Sequence, residues 1–138
     1  MTNKKWKLLA WVLMLSLCFC KPAYAATSSE TELVPMTIES RKTVDLTLSS
    51  GNATSSCTVI GAGGKVTKIT IYMYLQKQNS SGGWSNYKTW SGTKSDNNYT
   101  LSKTTAITKG TYRVRVSVTC YQGTSSETTS EYSTVKTY

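Results

Sequence analysis

The residues able to do chemistry in this chain are few, and their absences are as informative as their positions. There is no histidine among the 138 residues. That removes the commonest general base and the commonest nitrogen ligand for metals. Serine is abundant, but no serine has a histidine to activate it. Past the first 25 residues the carboxylates are Glu30, Glu32, Glu39, Asp45, Asp96, Glu127 and Glu131. A glycosidase needs two carboxyls about 5–9.5 Å apart. Glu127 and Glu131 fall on one face of an extended strand, but four residues at about 3.3 Å each separate them by roughly 13 Å. Asp96-Asn97-Asn98 offers too few oxygens for a dedicated calcium site and reads as a turn. The Asn-x-Ser/Thr matches at Asn52, Asn79 and Asn98 are weak signals in a chain so rich in Ser and Thr. The expectation is a protein that is not an enzyme and uses neither cofactor nor metal.

Four cysteines remain, and the leader decides which of them matter. Lys4, Lys5 and Lys7 precede the apolar run Leu8 to Phe19, followed by Lys21, Pro22 and the small-residue site Ala23-Tyr24-Ala25. This is the layout of a cleaved secretory signal peptide over residues 1–25. The apolar run is shorter than the roughly 20 residues a membrane span requires. Bulky Leu17 and Phe19 before Cys18 and Cys20 argue against lipidation, and no second apolar segment follows. The expected product is secreted, extracellular and without a stable membrane anchor. Cleavage leaves Cys57 and Cys120, which in an oxidising compartment are expected to form a disulfide. It also removes four lysines and no acid, so the net charge falls from +9 to +5. That balance suits an anionic cell surface better than nucleic acid, whose readers carry a concentrated basic stripe.

These groups must be positioned by strands. Residues 26–40 show no sustained pattern and are read as a flexible arm, with one domain over residues 41–138. Val44, Leu46 and Leu48 alternate with polar residues, and Ser50-Gly51-Asn52 signals a turn. Ile69, Ile71, Met73 and Leu75 form the clearest period of two, matched by Tyr112, Val114, Val116, Val118 and Cys120. A helix cannot bury such a set on one side. About seven strands at regular spacing, with turn signals between, predict an all-β, immunoglobulin-like antiparallel sandwich. Cys57 on the second strand and Cys120 on the sixth would then both point inward. Gly110-Thr111-Tyr112-Arg113-Val114 reads as a tyrosine corner opening the sixth strand.

If the third and sixth strands are neighbours, Lys68, Tyr72, Tyr74 and Gln76 converge outward with Arg113, Arg115 and Tyr121. Aromatic faces beside guanidinium groups bind sugar rings, anionic polymers or protein partners. Cross-strand Arg–Tyr packing on an ordinary solvated face is the competing explanation. Trp84 and Trp90 are six residues apart, which puts both on one side of an extended strand. They are either a stacking platform or a closure of the sandwich edge, with at least one expected to bury.

Cys57 after a Gly-Asn-Ala turn, the Leu75-Gln76-Lys77 strand end, Trp84 with Tyr87, Trp90-Ser91-Gly92, Gly110-Thr111-Tyr112-Arg113, and Glu127 with Tyr132-Ser133 form a further pattern. With these features the chain resembles short secreted Gram-positive (Firmicutes) β-sandwich proteins classed as a domain of unknown function. The resemblance runs roughly from Thr43 to Tyr138. It implies a secreted sandwich and lends no activity. The functional expectation is a non-catalytic binding or interaction module at or outside the cell envelope, its partner a cell-wall polymer, glycan or surface protein. The alternative is a secreted antimicrobial or competition factor, motivated by small size, export and positive charge.

Overall fold

Alternation of apolar and hydroxyl side chains leaves these segments one stable choice, a strand buried on one face. A computed structural model describes residues 38–138. The leader at 1–25 and the arm as far as residue 37 lie outside the described residues. The strands are β1 (Glu39–Ser49), β2 (Asn52–Gly61), β3 (Lys68–Gln78), β4 (Trp84–Lys94), β5 (Asn98–Ala106), β6 (Thr111–Gln122), β7 (Ser125–Tyr132) and the two-residue β8 (Lys136–Thr137). Every pairing is antiparallel.

Two sheets result, β1-β2-β5 and β4-β3-β6-β7, with β8 also on β6. This is the expected immunoglobulin-like sandwich, with a short eighth strand added. The inward row of β3 (Ile69, Ile71, Met73, Leu75) and that of β6 (Tyr112, Val114, Val116, Val118) are fully buried. Leu46, Ala53, Val59 and Leu101 meet them from the smaller sheet. Ile38 is also in this core, and β1 begins at Glu39, so the sandwich starts slightly before the boundary read at residue 41.

The β1–β2 connection shows how locally the register is set. Ser50 and Gly51 have φ of +49° and +76°. Two successive positive φ values define a two-residue hairpin turn whose twist matches the strands it joins. Ser49 therefore pairs with Asn52, and every inward residue of β1 meets an inward residue of β2, as Val44 meets Cys57.

The tyrosine corner is present. Tyr112 is fully buried and its hydroxyl donates to the Thr108 carbonyl at 2.7 Å. The Tyr87 ring meets it edge-on, with centroids 5.7 Å apart. Gly110, just before β6, exchanges two backbone hydrogen bonds with Tyr138 at 2.9 and 3.0 Å, which ties the chain end to the corner.

Candidate binding face

β3 and β6 are neighbours, so the outward residues expected to converge do so. Gln76 pairs with Arg113, Tyr74 with Arg115, Tyr72 with Ser117 and Lys68 with Tyr121. On the far side of β6, Tyr132 of β7 lies opposite Arg115. The centre of the face is Arg113. Its guanidinium carbon lies 4.2 Å from the Trp84 ring centroid and 4.4 Å from that of Tyr132. Arg113 Nε donates to Gln76 Oε1 at 2.8 Å, and Gln76 Nε2 donates to Asn86 Oδ1 at 3.0 Å. Three strands thus fix one planar cation between two aromatic rings, an arrangement an ammonium could not reproduce. Arg115 lies 5.7 Å over Tyr74. Tyr72 and Tyr132 are 47% and 48% exposed, large areas for aromatic rings.

Two candidates separate from this group. Tyr121 shares the face, but lies eight residues along β6 from Arg113, roughly 26 Å at 3.3 Å per residue. There it packs with Lys68, whose ammonium is 4.0 Å from the ring centroid. Trp90 is on the opposite side of the sheet, partly buried against the core and paired with Met73. Of the two readings, the Trp84–Trp90 platform is not formed, and Trp90 is the one that packs on the core. The cause is a β-bulge: Leu75 pairs with Lys88 but Gln76 with Asn86, which leaves Tyr87 as an extra residue on β4. One extra residue reverses the parity of everything beyond it. Trp84 therefore turns outward to Arg113, while Tyr87 and Trp90 turn inward.

The disulfide expected between Cys57 and Cys120 is not formed in this structure, where both are buried free thiols. They stand on the inward faces of opposite sheets, as anticipated. Burial pushes the Cys57 thiol up to about 12 and raises that of Cys120 too. Between pH 9.0 and about 12 an unfolded Cys57 ionises while the folded one keeps its proton. The folded state then binds more protons, so its stability falls as pH rises through that window. Cys57→Ala should flatten the fall in thermal midpoint between pH 9 and 12 relative to wild type. Parallel profiles for the two proteins would refute this assignment.

A second polar cluster escaped the sequence reading. β1 and β7 are edge strands of the two sheets and meet along one side of the sandwich. Lys42, in parity with Val44 and Leu46, points inward there with a side chain only 6% exposed. Its Nζ lies 3.1 Å from Glu39 Oε1 and 3.7 Å from Glu131 Oε2, and donates to Thr129 Oγ1 at 2.7 Å. Thr129 in turn donates to Glu39 Oε2 at 2.6 Å, and Glu127 Oε2 accepts from the Ile38 backbone at 2.8 Å. The available signal was that Glu127, Thr129 and Glu131 share the inward parity of an edge strand. Inward charge on an edge discourages pairing with another chain.

Asp96 is a turn residue, as expected. It pairs with Lys94 at 2.8 Å and accepts from the Asn97 backbone at 2.7 Å. The Lys94 contact, foremost, holds its carboxyl below the usual carboxylate range.

No family model, curated protein or solved structure matches this chain. Among the described residues, the fold and its polar clusters define an antiparallel β-sandwich with an aromatic–guanidinium face and an ionic seam.

Proposed function

We propose that the protein is a secreted, non-catalytic binding module that works at or outside the envelope of a Gram-positive cell, through the outer face of β4-β3-β6-β7. The observation that carries this reading is the Arg113 stack between Trp84 and Tyr132. Such packing also stabilises a sheet, and rigid aromatic and Arg groups are what binding surfaces concentrate. The leader-like first 25 residues support export, and the resemblance noted in the sequence suggests the Gram-positive setting. Against catalysis stand the missing histidine and the engagement of Glu39, Glu127 and Glu131 in the seam.

The test is sedimentation of the protein with isolated Gram-positive cell walls. Wild type is expected in the pellet, and Arg113→Ala/Arg115→Ala in the supernatant. Equal retention of the two would sink the proposed face, and failure of wild type to sediment would sink the location.

A further inference from the structure

Resting on the reading of this face as the binding surface, we infer that it takes an acidic glycan, with Arg113 as the contact for a carboxylate or phosphate oxyanion on a sugar unit. The guanidinium is already immobilised. Its guanidinium carbon lies 4.2 and 4.4 Å from the Trp84 and Tyr132 ring centroids, and its Nε is held by Gln76, itself fixed by Asn86. Ordering this side chain has been done by the fold, so little freedom remains to be lost on binding. What is left open is the edge bearing the two Nη groups, to which no acceptor among the described residues is bonded. Neither Arg113 nor Arg115 has a carboxylate partner among the described residues. Paired N–H groups in one plane match the geometry of carboxylate and phosphate oxygens.

The charge distribution points the same way. The outward residues of β3, β4, β6 and β7 include Lys68, Arg113 and Arg115 and no carboxylate. Glu39, Glu127 and Glu131 are engaged in the seam, Asp45 lies on the other sheet, and Asp96 is in the β4–β5 turn. Among the described residues this face is therefore cationic by segregation, and an anion approaching it meets no like charge from them.

The same face explains why the anion would be carried on sugar. Around the exposed Tyr72 ring the paired positions are Ser91 on β4 and Ser117 on β6, with Ser130 next on β7. Flat aromatic rings beside hydroxyls suit a pyranose, whose C–H face stacks while its hydroxyls hydrogen-bond. No Leu, Ile, Val or Met points outward on this face between Trp84 and Tyr132. A face of rings, hydroxyls and guanidinium groups without aliphatic side chains suits a polar, hydroxyl-rich ligand.

The experiment is calorimetric titration of the protein with three soluble polymers: polygalacturonate, poly(glycerol phosphate) and neutral amylose. Binding to one or both anionic polymers and not to amylose is expected, and the preferred polymer tells carboxylate from phosphate. Arg113→Lys keeps the charge but loses the fork and the stack, and should weaken binding roughly ten-fold or more. Arg115→Gln, at an exposed position that cannot threaten the fold, should weaken it less. Thermal midpoints of both variants report folding. Amylose binding as tightly as the acidic polymers, no acidic polymer binding, or an unchanged affinity in folded Arg113→Lys would each overturn the inference. Wall sedimentation that is lost in the double alanine variant, together with any of these results, leaves the binding face standing and removes only the acidic glycan.

Discussion

Lys42→Ala is expected to destabilise the sandwich by about 3 kcal/mol, measured by urea unfolding. The size follows from burial. The Lys42 side chain is 6% exposed and that of Glu39 15%, so neither charge has water to fall back on. Removing the ammonium leaves the Glu39 carboxylate partly buried with only the Thr129 hydroxyl as donor among the described residues. Glu131, 47% exposed, can turn to solvent, which keeps the loss toward the lower end for a broken buried pair. The double variant Lys42→Met/Glu39→Gln should regain most of that loss, to within about 1 kcal/mol of wild type, because apolar packing often replaces a buried ion pair without penalty. The pattern, a large single loss that a second substitution repairs, separates a seam of coupled charges from an exposed pair. A loss below about 1 kcal/mol for Lys42→Ala would mean that the seam is wet and behaves as a surface contact. Its position gives the result structural meaning: with Glu39, which accepts from Thr129, Lys42 is how edge strand β1 reaches edge strand β7, its own partners there being Thr129 and Glu131.

Lys42 also shows where sequence reading stops. Alternation in β1 is visible from Val44 through Leu48, and extending the same parity by one step lands on a lysine. A charge at that step reads as the end of the pattern, because the groups that allow its burial are Glu39 at the start of β1 and, on the other sheet's edge, Thr129 and Glu131. The inward rows of β3 and β6 were legible because each is a long run of one periodicity. The convergence of Tyr72, Tyr74, Arg113 and Arg115 was legible because it needed only the adjacency of β3 and β6 that the sandwich imposes. Tyr132 was not assigned to the face, since its place depends on the register of β7, which carries almost no apolar signal. Trp84 and Trp90 failed as a pair for a local reason. The bulge at Tyr87 has no marker in the sequence, no glycine and no proline, yet it decides which tryptophan meets Arg113 and which meets the core.

Tyr112→Ala should cost about 4 kcal/mol, in the range for deleting a buried aromatic ring. Tyr112→Phe should cost about 1–2 kcal/mol, because it removes only the hydroxyl and strands the Thr108 carbonyl. The two variants divide the corner into packing and hydrogen bonding. The ring part includes the edge-on contact with Tyr87 and the Lys77 ammonium 5.5 Å above it, so Ala loses more than area. The hydroxyl part fixes the loop entering β6, where the Ile107 N–H also donates to the Gly51 carbonyl at 2.8 Å and Gly110 holds Tyr138. Arg113 follows Tyr112 directly and points the other way, so the corner sets where the cation emerges. Tyr112→Phe is nevertheless expected to leave ligand affinity unchanged, since the Trp84, Tyr132 and Gln76 contacts hold Arg113 independently of the hydroxyl. A Phe variant as stable as wild type would show that the hydroxyl is satisfied equally well by water. A Phe variant of near-normal stability that lost binding would place the corner inside the binding machinery, and the outer-face cluster would no longer be self-sufficient.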